Sequence, residues 1–457
     1  MNRSRKVNRR RRRFLTAGAA ALSAGLAGCV GGNGNGEDEP QDDGENGDDT
    51  EEENDGELPV ALPRVENPPD AVYLPTHREG MVMDEAVLAG DYLVAPMYAV
   101  PHRFWLVNGE RTDEVMPDGN DDLHLMVSVW DAETGTVLPA DAGVTMRVEK
   151  DGDVIDERGP WTMISQEMGF HFGDNIALEG DGEYTLSVEV GALEGVERIG
   201  ELEDRFEEGG QAEFSFEFDD DFMNEIVAGI DYLDESRWGE RGALEPMGHG
   251  HGDHDGHGHN DGQDGGHGGH DGQEHEGEHG HEEHDHDDDH GHNDGHGNGG
   301  NDHGHDEHEA AHPPYSSLPA PDDLPGTLLG TPESGDAVIA ATVTDEPRFL
   351  EDDADSDADD YILVSPRTPY NACVLPAMLL SAEVVRDGET VEEVDLSETV
   401  DAEAGYHYGA PVDGLQEGDE VVVSVVTPPQ VSRHQGYETA FLEMPDVDMT
   451  VPEGYET

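Results

Sequence analysis

Lysine is almost missing from this chain. Only Lys6 and Lys150 are lysines among 457 residues, and all basic residues together number 23 against 108 acidic ones. That imbalance excludes nucleic acid and anionic membrane surfaces as natural partners and points to cations instead. In dilute buffer such a charge would strain a compact fold through self-repulsion. At molar salt the Debye length falls to ~3 Å and the repulsion is screened. Acids punctuate the strand-like segments as well as the linkers, so the composition reads as halophilic. Cysteine is also scarce, with only Cys29 and Cys373. Cys29 is expected to carry lipid, which leaves one thiol and no intramolecular disulfide. Cys373 stands beside Val374-Leu375-Pro376 and reads as an inert buried thiol. No apolar run approaches the ~20 residues of a membrane span, so the body is expected to be soluble. A nucleophile elbow, an H-E-x-x-H pair, a C-x-x-C pair and a phosphate-binding glycine loop are all lacking, so no enzyme is expected.

What is present begins with an address. Arg11-Arg12-Arg13-Phe14-Leu15 fits the twin-arginine pattern, and after a short apolar stretch Leu26-Ala27-Gly28-Cys29 reads as a lipobox. Residues 1–29 are therefore expected to be a lipoprotein signal that places the chain on the extracellular face of the cell membrane. Residues 30–57 are Gly, Asp, Glu and Asn with few apolar side chains, which predicts a disordered acidic tether.

From residue 58 to 238 the pattern changes to short alternating runs. Phe214, Phe216 and Phe218 alternate with polar residues, as do Tyr184, Leu186, Val188 and Val190, the period-2 signature of half-buried strands. Asp151-Gly152 supplies the positive φ that a hairpin turn needs. Several short strands with turns between them predict a β-sandwich. Phe222, Ile226, Ile230 and Leu233 predict a short amphipathic helix at its end. Residues 313–457 echo the first segment. Gly90-Asp91, Ala95 and Arg103-Phe104 recur as Gly335-Asp336, Ala340 and Arg348-Phe349. Val137-Leu138-Pro139-Ala140 recurs as Val374-Leu375-Pro376-Ala377, and Gly169-Phe170-His171-Phe172-Gly173 as Gly405-Tyr406-His407-Tyr408-Gly409. Matches in one order at similar spacing predict a duplicated domain.

The stretch from Gly169 to Asn175, followed by Gly182-Glu183-Tyr184-Thr185-Leu186, resembles the periplasmic Fe(II)-transport accessory proteins. The resemblance implies an immunoglobulin-like β-sandwich; with the repeat and the composition of the middle segment, this predicts an all-β chain of two such domains, 58–238 and 313–457, joined by a disordered His-rich linker, 239–312. It implies work beside a membrane iron permease. It also implies a ligand role for His171 and His407, for His434 after Pro428-Pro429, and for a methionine near Ile164, where Met163 and Met168 are the candidates. The family's early-strand His and Glu are absent from the positions aligned with Tyr92 and Val94.

Residues 248–312 hold 19 of the 25 histidines, among Gly, Asp, Glu and Asn. His249, His251, His254, His257 and His259 open the run, and His279, His281, His284 and His286 are its densest part. Neutral imidazole suits zinc, copper and nickel, and this composition predicts a tract that binds several ions weakly. A pairing of His407 with His434 on one ion is expected in the second domain, with the Val421, Val423 and Val425 strand beside the one that starts at Gly405. His77 with Met81 and Met83 is a weaker cluster; His102 and His124 read as structural. The expected function is transition-metal uptake, of iron, copper or zinc, with transfer to a permease. The alternatives are a structural or adhesive lipoprotein and a metal-resistance sponge that uses only the tract.

Overall fold

Residues 61–247, 313–350 and 358–455 are described by the computed structural model. The signal with Cys29, the acidic tether, and His249, His251, His254, His257, His259, His279, His281, His284 and His286 lie outside the described residues. The described chain is mostly β, in several sheets, with one α-helix. Among the described residues no helix is long and apolar enough to cross a membrane.

Alternation in sequence becomes alternation in burial. Strand Gly210–Phe218 buries Ala212, Phe214, Phe216 and Phe218 and exposes the residues between them. It pairs with Gly182–Val190, then Thr145–Lys150 and Asp153–Arg158. The turn between the last two has Asp151 at φ 54 and Gly152 at φ 84, as the Asp-Gly pair requires. A second sheet contains Tyr92–Ala99, Leu123–Asp131, Gly169–Ile176 and Trp161–Ser165 in that order. The two sheets face each other across an apolar interior, where the Tyr98 and Phe216 rings meet at 4.8 Å. Helix Asp220–Ala228 is capped by the Asp219 side chain, which accepts from the Phe222 N–H, and it buries Ile226. Ile230 and Leu233 lie past its end.

The second half repeats the pairing. Ala337–Thr344, Asp360–Arg367 and Gly405–Val412 are neighbours, as are Tyr92–Ala99, Leu123–Asp131 and Gly169–Ile176 in the first. One difference has a visible cause. The 13-residue strand Glu389–Asp401 pairs with Leu379–Arg386 at one end and with Gly405–Val412 at the other, tying the second half into one sheet. Its counterpart in the first half breaks at Gly159-Pro160 into Asp153–Arg158 and Trp161–Ser165, because proline has no N–H for a ladder. One register expectation is corrected. Strand Glu420–Thr427 pairs with Leu379–Arg386 and Val447–Thr450, on the other side of the sandwich from Gly405–Val412.

The halves also exchange edges. Ser432–Arg433 from the second half runs parallel to Met163–Ile164 of the first and also meets Trp105. Glu197–Arg198 from the first half runs parallel to Thr399–Val400 of the second. The hydrogen bonds match: the His434 N–H donates to Ile164 O at 3.2 Å, and the Ile199 N–H to Val400 O at 3.1 Å. Each half thus covers an edge strand of the other, which would otherwise present unpaired backbone groups. The described residues accordingly belong to one compact unit. Residues 239–247, expected to be linker, pack on this unit. Leu244 is buried and its N–H donates to Gln166 Oε1 at 2.8 Å.

Candidate metal centre

Six histidines lie outside the tract: His77, His102, His124, His171, His407 and His434. Four of them converge. Leu125, Ile164, Phe170 and Phe172 point into the core, so their strand neighbours His124, Met163 and His171 point to the opposite face. His171 stands opposite Met163, and His124 opposite Asn175. His102 follows Pro101 after strand Tyr92–Ala99 and packs on His124, ring centroids 4.0 Å apart. His434 arrives on the exchanged segment and meets His102, His124 and His171 at 4.8, 5.6 and 4.9 Å between ring centroids. One nitrogen from each of His102, His124 and His434 lies within 4.8 Å of the others.

The hydrogen bonds fix the tautomers. The Nδ1 of His102 meets Val100 O at 3.0 Å, that of His171 meets Gly169 O at 3.1 Å, and that of His434 meets Glu79 Oε1 at 2.8 Å. His124 Nδ1 meets Asn175 Oδ1 at 2.9 Å, while Asn175 Nδ2 donates to His102 O at 2.9 Å. All four partners are oxygens that can only accept. Each Nδ1 therefore carries the proton, and each Nε2 of a neutral ring is a bare lone pair. The Nε2 atoms of His171 and His434 face each other at 3.2 Å. Two lone pairs repel at that distance unless a cation lies between them. Ligands about 2.0–2.1 Å from a tetrahedral ion stand about 3.3 Å apart.

Other atoms point the same way. Glu79 Oε2, His102 Nε2 and His124 Nε2 are buried with no hydrogen-bond partner among the described residues. Buried polar groups are normally paired, so three unpartnered atoms at one place fit the donor set of a cation. Burial holds His102 down to about 4 and His171 to about 3, and burial with the neighbouring histidines holds His124 well below its ordinary value. Burial alone would raise Glu79; the facing His102 and His434 rings outweigh it and hold the carboxyl well below its ordinary value. The site therefore sets His102, His124 and His171, which burial holds towards the neutral form, beside a carboxylate. Glu79 is itself positioned by Glu167, whose Oε2 accepts from the Glu79 N–H at 2.9 Å.

Space is reserved as well. A Cβ on Gly173 would lie 3.0 Å from His124 Nε2, 3.2 Å from Met126 Cγ and 3.3 Å from Met163 Sδ. The glycine thus keeps a gap between imidazole and thioether. A cavity of about 200 Å3 lined by His77, Glu79, His102 and Gln435 leads from exposed Met116 to the site.

The second half carries the same frame with different contents. The pairs Val82–Tyr98 and Thr327–Val343 occupy equivalent register positions, which sets Leu324 at the place of Glu79 and Pro347 at that of His102. By the same logic Tyr361 replaces His124, Thr399 replaces Met163, Pro411 replaces Asn175 and Ile199 replaces His434. Ile199, Leu324, Phe349 and Tyr361 form an apolar cluster there. His407 is buried among them; its Nδ1 meets Gly405 O and its Nε2 meets the Tyr361 hydroxyl at 3.4 Å. Where Gly173 has a gap, the Tyr361 phenol lies against Gly409.

The expected pairing of His407 with His434 is thus corrected. His434 crosses to the first half and meets His171, while the ring neighbours of His407 are Phe349 and Tyr361. His102 and His124, read as structural, stand at the centre. No acid stands at Tyr92 or Val94; the carboxylate beside the rings is Glu79, two residues after His77 on the entry segment. Met163 faces the site, whereas Met168 packs with Met97 and Met126 beside it. The asymmetry did leave a sequence signal: Gly173 is followed by Asp174-Asn175, Gly409 by Ala410-Pro411, and only asparagine can clamp two histidines.

A family described as a domain of unknown function, DUF7350, matches residues 322–450. No curated protein matches the chain. Among solved structures, a copper-bound variant of FetP from uropathogenic Escherichia coli strain F11 is similar at 20% identity, covering 28% of this chain and 97% of that one with a TM-score of 0.23. A copper-bound variant of P19 from Campylobacter jejuni has the same identity, coverage and TM-score.

Proposed function

We propose that this chain is a surface-anchored transition-metal carrier, built as two immunoglobulin-like β-sandwich domains, 58–238 and 313–457, that share one working site. The observation that carries this reading is the convergence of buried imidazoles: one nitrogen from each of His102, His124 and His434 lies within 4.8 Å of the others, and the Nε2 of His171 stands 3.2 Å from that of His434. Imidazole suits zinc, copper and iron alike, and the Met163 thioether beside it favours copper. The role is metal uptake: the ion is passed on to a membrane permease, and lipid on Cys29 holds the chain at the outer face of the cell membrane. The histidine tract serves as a local store. Among the described residues that flank it, the Met247 N–H donates to Glu167 O at 2.9 Å and Ser316 Oγ accepts from the Phe170 N–H at 2.7 Å.

The pH dependence separates this from a sponge in which only the tract binds. Ordinary histidines protonate near pH 6.5, so the tract is expected to release metal as pH falls through about that value. His102 and His171 stay neutral down to about 4 and 3. A titration of the full chain with copper against a competing chelator is expected to give one tight equivalent that survives at pH 5.5, while the weaker equivalents vanish. If every equivalent is lost together between pH 7 and 5.5, the sponge is the better reading. The sign for stability follows from the same groups. Below pH 6.5 the unfolded chain binds protons that the buried rings refuse, so the metal-free fold loses stability as pH falls from 6.5 towards about 4. Its melting temperature is expected to drop across that window.

A further inference from the structure

We propose that the methionines beside the histidine centre form a second site, for a soft monovalent cation such as Cu(I) or Ag(I). Met97, Met126 and Met168 are buried, and with partly buried Met81 and Met247 they form an apolar cluster of their own, separate from the main core. Their arrangement is a row. Met83 pairs with Met97, Met97 with Met126, and Met126 with Gly173. Directly opposed residues on neighbouring strands have Cβ atoms about 4.5–5.5 Å apart, within reach of flexible thioethers. The row starts at Met83, which is partly exposed at the sheet edge. It ends at the Gly173 gap, where Met126 Cγ and Met163 Sδ come within 3.2 and 3.3 Å of one point.

Methionine is common core filler, but the second half argues against filler here. The equivalent positions there hold Gly326 for Met81, Thr342 for Met97, Leu363 for Met126 and Ala404 for Met168. The frame folds without a single thioether at those places. The buried methionines of the second half, Met378, Met444 and Met449, lie in the main core instead. Thioether sulfur is a soft donor that selects Cu(I) over harder ions, and it has no proton to lose. The remaining thiol in the described fold, Cys373, is buried elsewhere beside Ser316. This second site goes beyond the carrier reading and does not depend on which ion the histidines hold.

The test uses the full chain with 13C-labelled methionine methyl groups, titrated with silver nitrate in chloride-free buffer. The tract from 248 to 312 has no methionine, so the methyl signals are blind to silver held there. The methyls of Met97, Met126 and Met168 are expected to shift and saturate together. In His434→Ala they are expected to shift still, while the Met163 methyl loses its response. Replacing Met97 and Met168 by leucine, a swap cores tolerate well, is expected to weaken this silver site at least tenfold and leave copper binding at the histidines unchanged. Met97→Leu alone gives the same direction should the double variant fold poorly. The proposal is overturned if Met163 alone responds to silver, or if His434→Ala abolishes all methyl shifts, since the thioethers would then belong to one site with the histidines.

Discussion

His434→Ala is expected to lower the affinity of the buried centre for copper by at least about 100-fold, while His407→Ala leaves it unchanged. Loss of an outer partner of a ligating histidine already costs 10–100-fold, and His434 supplies a ring nitrogen itself. The contrast is the informative part. Both histidines are buried, and His407 has the more symmetrical motif. His407, however, has an acceptor for Nδ1 and a donor for Nε2, so it owes nothing to a metal. His434 has Glu79 on one side and three imidazoles on the other. A competition titration of the two variants at pH 7 reads the difference directly. Equal losses in both would mean that His407 ligates too. A loss only in His407→Ala would place the site in the second half, against the geometry.

Arg433→Met is expected to destabilise the fold by about 2–4 kcal/mol and to lose tight metal binding, although Arg433 touches no ion. This arginine is fully buried. Its guanidinium donates to the carbonyl oxygens of Pro429, Tyr437 and Ala440, and its Nε donates to Val431 O. Those bonds hold the loop that carries Ser432–Arg433 into the first half and sets His434 behind it. Each buried acceptor left without a donor costs about 1–3 kcal/mol, partly offset by no longer burying a charge. Burial pushes the guanidinium down to about 9, which leaves it charged at neutral pH. His434→Ala removes a ligand but keeps these bonds, so its metal-free melting temperature is expected to fall less than that of Arg433→Met. An Arg433→Met protein that melts normally and still binds copper would show that the loop is held by other contacts, such as Gln430 on Gly109 or Glu438 on Tyr73.

Much of the fold is legible in the amino-acid sequence. Period-2 burial of the Phe214 strand, the Asp151-Gly152 turn and the repeat of the aromatic-His-aromatic motif all follow from local rules, and local rules survive folding. The site is legible only in part. His171, Met163 and His434 can be picked out by motif, but their grouping cannot. Duplication makes the two halves look alike, so the natural guess keeps His434 with His407, the histidine nearer in sequence. The edge exchange that sends Ser432–Arg433 to Met163–Ile164 is a tertiary fact, set by which open strand edge lies within reach. His102 and His124 sit in strand or strand-end contexts that carry no spacing signal. They become a pair only because Asn175 binds both. The clues in the sequence are substitutions between the halves: Asn175 against Pro411, Met163 against Thr399. They mark one half as able to hold an ion and the other as filled.

The central claim is that one ion binds one composite centre, made by both halves. The most direct measurement is diffraction from a crystal of the full chain loaded with one equivalent of copper, recorded at the copper absorption edge. One strong anomalous peak is expected in the folded part, about 2.0–2.3 Å from the Nε2 atoms of His171 and His434, with His102, His124 or the Met163 sulfur completing the shell. A peak beside His407, or none in the folded part while copper scatters only from the tract, would contradict it.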